Sequence, residues 1–168
     1  AGETNKLQSY LDDFASQYSL ESDLVLTSGE QVTIGLLSAE LKNKGIKSIP
    51  LLGWQIPIIT DDSHEKAKIL HIDKKRIENY FEKNDVIVLA GFQGISLDGE
   101  ITSLGRGGSD TTAVAIASSV DAKRCDIYTD VDGVYTTDPN IDQNAKKISK
   151  MSYEEMLEMA STGSKVLH

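Results

Sequence analysis

At 168 residues, 39% of them hydrophobic, the chain has material for one buried core and is expected to form one domain. Its formal net charge of -9 opposes association with nucleic acid or an anionic membrane, so a small anionic ligand would need a local basic pocket. A single cysteine, Cys125, rules out an internal disulfide or a multi-cysteine metal site and suits a reducing cytoplasm, and no apolar run reaches membrane-spanning length.

Leu7, Leu11, Phe14 and Tyr18 recur at helical spacing and predict a first helix over about residues 5–17, with its aromatics in the core. A second helical stretch starts near Ser22 and runs to Gly45, a suitable C-cap. Thr27-Ser28-Gly29-Glu30 interrupts it: an interior glycine costs about 1 kcal/mol relative to alanine, so a break is expected there, with Ser28 capping a new helix. Residues 46–52 predict a strand with Pro50 at its end or edge, and residues 53–64 a loop with short strands, His64 being a surface histidine and not a general base. A strand over 67–72 and a helix over 74–82 follow, the helix burying Ile77, Tyr80 and Phe81. The apolar run of residues 85–91 suits a parallel strand buried on both faces. Asp98-Gly99 predicts a hairpin turn, residues 109–120 a helix and residues 125–130 a last strand. None of His64, His71 and His168 has metal-ligand spacing, and no metal ligands are expected. This order of elements implies an α/β fold with a mainly parallel sheet and a ligand crevice at the carboxyl ends of its strands.

The richest chemistry lies in Gly105-Arg106-Gly107-Gly108-Ser109-Asp110. Glycines let a ligand approach the backbone, and free amides at a helix start favour an anion. Arg106 adds bidentate geometry for a carboxylate or phosphate, and Ser109 or Asp110 is placed to cap the helix. A plain strand-to-helix loop with a solvated arginine is the alternative. Two further polar clusters fall on the same predicted edge, Gly91-Phe92-Gln93-Gly94 and Thr129-Asp130 with Val131 to Tyr135 beyond, and their convergence points to a binding site.

Together with Thr27-Ser28-Gly29-Glu30-Gln31-Val32, Thr136-Thr137-Asp138-Pro139 and Gly163-Ser164-Lys165-Val166-Leu167-His168, these motifs resemble, in order and spacing, the aspartate kinases of the amino-acid kinase family. The resemblance implies a three-layer αβα sandwich and transfer of the ATP γ-phosphoryl group, with Mg2+, to the side-chain carboxylate of L-aspartate. The product is 4-phospho-L-aspartate, which leads towards lysine, threonine and methionine. By matching position, Glu30 would hold the substrate amino group, Arg106 would pair with a substrate carboxylate, and Thr27 and Ser109 would shape that pocket. Asp110, Arg106 and Lys165 are the implied catalytic residues. Gly91, Gly94, Thr129, Asp130, Tyr135 and Lys165 would serve the nucleotide.

The chain also departs from the family pattern. It has no Lys-Phe-Gly-Gly strand, and Asn140 stands where an arginine commonly follows Asp-Pro. Residues 1–168 are therefore expected to be part of a catalytic domain, incomplete at both ends, without the ACT regulatory domains, and from a homo-oligomeric enzyme. Other readings are a non-catalytic binding or assembly module, and a kinase for acetylglutamate or glutamate. Glu30 argues against the last of these, since a free substrate amino group is best met by a carboxylate.

Overall fold

The computed structural model describes residues 2–12, 14, 19–129, 133–137 and 141–161. The chain divides into two compact units, Ala1–Cys125 and Asp126–His168. The first contains α1 (Glu3–Ser9), α2 (Ser19–Asn43), β1 (Ser48–Leu51), β2 (Ile58–Thr60), β3 (Ile69–Ile72), α3 (Lys74–Phe81), β4 (Val86–Leu89), β5 (Gln93–Ile95), β6 (Ile101–Ser103) and α4 (Gly108–Ser119). The second contains α5 (Tyr153–Ser161).

Strands β1 and β4 pair in parallel from Ser48↔Val86 to Leu51↔Leu89. Alternation along β4 sends its side chains to two apolar clusters. Ile87 and Leu89 join Leu51, Ile56, Ile58 and Ile77, with Ile116 of α4 and its C-cap Val120 packed on them. Val86, Val88 and Ala90 join Ile34 and Leu41 of α2. Helices therefore cover both faces of this pair, as its unbroken apolar run predicts. A second sheet has the order β3-β2-β5-β6. Its β2 and β5 are parallel at Ile59↔Ile95, while β2–β3 and β5–β6 are antiparallel. The Asp98-Gly99 turn closes β5–β6, with Gly99 at φ 86°.

Several expectations are corrected. Helix α2 runs unbroken for 25 residues through Thr27-Ser28-Gly29-Glu30. Ser28 caps nothing; its hydroxyl donates to Val25 O at 2.6 Å, and that of Thr27 to Asp23 O at 2.7 Å. Gly29 is accommodated because α1 packs there: a Cβ on it would lie 3.0 Å from Leu7 Cδ1. Burial of the residues around it outweighs a propensity cost of about 1 kcal/mol. Helix α1 stops at Ser9, and Phe14 is 64% exposed rather than in the core. Phe81, at 49% exposure, is likewise outside the core. Residues 125–129 form no strand; Tyr128 is 93% exposed, so no sheet layer covers it.

Capping is local and readable elsewhere. Asp73 accepts from Arg76 N at 2.9 Å to start α3. Gly45 N and Ile46 N return to Lys42 O and Leu41 O to end α2. In the second unit, Ser152 and Glu155 form a reciprocal capping box at 2.7 and 3.2 Å ahead of α5.

Candidate functional site

The glycine loop joins β6 to α4 within the first unit. Leu104 N donates to Phe92 O at 2.9 Å, which ties the loop to the segment between β4 and β5. Gly105 has φ 74°, and a Cβ there would stand 2.6 Å from Glu65 O. The N-cap of α4 is Gly107, at φ 74° and with no side-chain cap bond, so neither Ser109 nor Asp110 caps the helix as expected. Both lie in its first turn; the Gly108 amide there already donates to Gly105 O at 3.0 Å, which leaves the amides of Ser109 and Asp110 to suit an anion. Arg106 is exposed, Ser109 exposed and Asp110 half-buried.

Close approach explains the neighbouring glycines. A Cβ on Gly91 would meet Ser109 Cα at 3.2 Å and Oγ at 3.3 Å, and one on Gly108 would meet Phe92 Cδ2 at 2.9 Å. Phe92 holds a left-handed φ of 69°. Its amide donates to Thr112 Oγ1 at 3.1 Å, and that hydroxyl donates to Gly108 O at 2.8 Å. Gly94 lies buried in β5, where a Cβ would strike Thr60 Cγ2 and approach Ile58 O to 2.7 Å. Packing within the sheet thus requires a glycine at position 94.

Helix α2 meets the strands that lead to the loop, through Thr27 to Gln93 of β5 and Asp23 to Ser103 of β6. Its buried residues are Asp23, Thr27, Ile34 and Ser38, a stripe at helical spacing on which Glu30 also falls. Thr27 is 1% exposed, and its carbonyl accepts from Gln93 Nε2 at 3.4 Å. Glu30 is half-buried. Desolvation raises its pKa above the ordinary 4.5, with the Thr33 hydroxyl opposing. A carboxylate in that setting is disposed to take up a cation.

A buried polar cluster beside the loop was not foreseen. Asp23 is fully buried; its Oδ1 accepts from Ser103 Oγ at 2.5 Å and Glu65 N at 3.1 Å. Its Oδ2 faces His64 Nδ1 at 2.8 Å, and His64 Nε2 faces Glu100 Oε2 at 3.4 Å. His64 is thus no surface histidine, its side chain being 14% exposed. Desolvation lowers its pKa, but hydrogen bonds and charge from Asp23 and Glu100 outweigh this and raise it above 6.5. These partners lie 36 to 80 residues apart, so no local pattern announces them. The one signal is an aspartate embedded in Leu20-Glu21-Ser22-Asp23-Leu24-Val25-Leu26.

Of the remaining candidates, Thr129 is exposed, and Tyr135 is half-buried and bridges Lys147 in antiparallel fashion. Asp130 and Lys165 lie outside the described residues, as do Asp138, Pro139 and Asn140. Among the described residues, no three His, Cys, Asp or Glu side chains cluster as a metal site, and no helix is long and apolar enough to cross a membrane.

The sequence profile of the amino acid kinase family matches residues 2–168, and the chain belongs to that family. It is 51% identical to an aspartokinase of Pseudomonas aeruginosa over 168 residues, covering 99% of this chain and 41% of that protein. Among solved structures, it resembles the aspartate kinase of Synechocystis with a TM-score of 0.84 at 39% identity, over 100% of this chain and 27% of the other. It also resembles E. coli aspartokinase III in complex with aspartate and ADP, with a TM-score of 0.81 at 30% identity, over 99% of this chain and 37% of the other. The chain therefore spans less than half the length of the curated relatives it matches. The expected amino-acid kinase fold is borne out.

Proposed function

We propose that the chain belongs to an aspartate kinase, which transfers the γ-phosphoryl group of ATP to the side-chain carboxylate of L-aspartate. The observation that carries this reading is a glycine-built helix start bearing an exposed Arg106, preceded by strands β5 and β6 that α2, the helix of the half-buried Glu30, meets through Thr27 and Asp23. Similarity to aspartokinases, one of them solved with aspartate and ADP, supports the choice of acceptor.

An acceptor carrying an ammonium and two carboxylates needs one fixed anion and one fixed cation to orient it. Glu30 meets the ammonium and Arg106 a carboxylate, in bidentate fashion. Ser109, behind which Gly91 leaves room, and Thr27 shape the pocket between them. The acceptor carboxylate is already ionised at neutral pH and needs no strong base. Its oxygen forms the new bond to the γ-phosphorus as the bond to the β,γ-bridging oxygen breaks, releasing ADP. The chain's task is alignment and charge neutralisation, to which Arg106 and the first-turn amides of α4 contribute. Asp110, in that turn, organises the catalytic groups. On the nucleotide side the same reading assigns Gly91, Gly94, Thr129, Asp130, Tyr135 and Lys165. Mg2+, when bound with ATP, would neutralise phosphate charge; such ions are commonly held by one or two carboxylates plus phosphates, so a dedicated protein cage is not required. Entry into lysine, threonine and methionine synthesis, a cytoplasmic location and homo-oligomeric assembly belong to the same proposal.

Isothermal titration tests the reading: Mg-ATP and L-aspartate should each bind, and Arg106→Ala should abolish the L-aspartate heat while leaving that of Mg-ATP. Binding of neither ligand by folded protein would refute it.

A further inference from the structure

The most heavily bonded buried carboxylate in the described residues does not belong to the motifs that suggested the substrate pocket. Asp23 gathers three segments onto α2: Ser103 at the end of β6, the Glu65 amide, and His64. Each contact bears on the Arg106 loop. Ser103 is two residues before Gly105, and its carbonyl accepts from Ala67 N at 2.9 Å. Glu65 has a left-handed φ of 64°, and its carbonyl is the group against which Gly105 is closely packed. Asp23 also stands one turn before Thr27 and two before Glu30 on the same stripe of α2.

We propose that Asp23, held by His64 and Ser103, is a positioning residue that fixes the Arg106 loop at a set distance from Glu30 and thereby sets the geometry of the acceptor pocket. This rests on the aspartate kinase reading above. The physical case is that a fully buried carboxylate is retained only when its donors satisfy it, and the donors here come from β6 and from the loop between β2 and β3, both of which pack on the Arg106 loop. Losing one leaves a buried polar group unpaired, so the loop shifts to recover a partner. The nucleotide residues assigned above are not among the groups Asp23 holds. Displacement by even about 1 Å would then weaken acceptor alignment more than nucleotide affinity.

Two variants of the complete protein test this, Asp23→Asn and Ser103→Ala, by steady-state kinetics and by amide hydrogen exchange over residues 104–108. In both, KM for L-aspartate should rise about tenfold or more while KM for ATP stays within about twofold, and exchange of the loop amides should accelerate. General loss of structure would move both KM values together, and that result would overturn the proposal. So would folded variants with wild-type aspartate KM and wild-type loop exchange. Should Asp23→Asn fail to fold, Ser103→Ala, which removes one hydroxyl, decides the matter. A wild-type protein unable to phosphorylate L-aspartate would sink the functional reading by itself, and the exchange comparison would still judge the role of Asp23.

Discussion

Gly105→Ala is the perturbation whose consequence follows most directly from the structure. An alanine at φ 74° bears a left-handed penalty of about 1–2 kcal/mol. Its methyl would also stand 2.6 Å from Glu65 O, a backbone atom that cannot rotate aside. Overpacking of this kind costs roughly a further 1–3 kcal/mol. Gly99→Ala is the matched control, since Gly99 has φ 86° but nothing within 4 Å of the added carbon. Both substitutions restrict the unfolded chain equally, so that contribution cancels in the comparison. Urea unfolding of the two variants should show Gly105→Ala the less stable by roughly 1–3 kcal/mol, with a melting temperature lower by about 2–12 °C. KM for L-aspartate should rise only in Gly105→Ala, because only there must the loop carrying Arg106 move. Equal stability of the two variants would refute the close approach of Glu65 to Gly105.

Four other outcomes are expected. Arg106→Ala should raise KM for L-aspartate by roughly tenfold to a hundredfold or more, from loss of charged hydrogen bonds of about 1.5–3 kcal/mol each, and Arg106→Lys should recover only part of it. Because burial raises the Glu30 pKa above 4.5, KM for L-aspartate should climb on acidification from a higher pH than an ordinary carboxyl would give, and Glu30→Gln should flatten that limb. His64, which faces Asp23 and Glu100, has a folded pKa raised above 6.5; its stabilisation is complete below that pH and is lost as pH rises through the folded value, so urea midpoints of His64→Gln should lack this decline. Ile58→Ala, at a position with 0% exposure, should cost roughly 2–5 kcal/mol in the same unfolding assay.

What the sequence revealed was what local physics controls. The apolar run of β4, the Asp98-Gly99 hairpin and the start of α3 at Lys74 each depend on a few adjacent residues, and each appears where expected. The loop from Gly105 to Asp110 was legible as a glycine-built turn into a helix, because closely spaced glycines mark such a turn. Its cap was misread, since Gly107 takes the left-handed turn that a serine or aspartate cap would not. Helix α2 inverted the usual pattern: it buries Asp23, Thr27 and Ser38 while leaving Val32 and Leu36 more than 60% exposed. Tertiary contacts decide such a case, and hydrophobic spacing cannot. The Asp23 cluster was hidden for the same reason, its partners arriving from β6 and from the loop between β2 and β3.

The most direct test of the central claim is a hydroxylamine-trapping assay for acyl phosphate, run on the complete protein with Mg-ATP and L-aspartate, glutamate or N-acetylglutamate in turn. The account predicts ATP-dependent hydroxamate with L-aspartate and none above background with the other two acids. Hydroxamate from N-acetylglutamate but not L-aspartate would contradict the assignment of Glu30, and hydroxamate from glutamate but not L-aspartate would contradict the proposed acceptor.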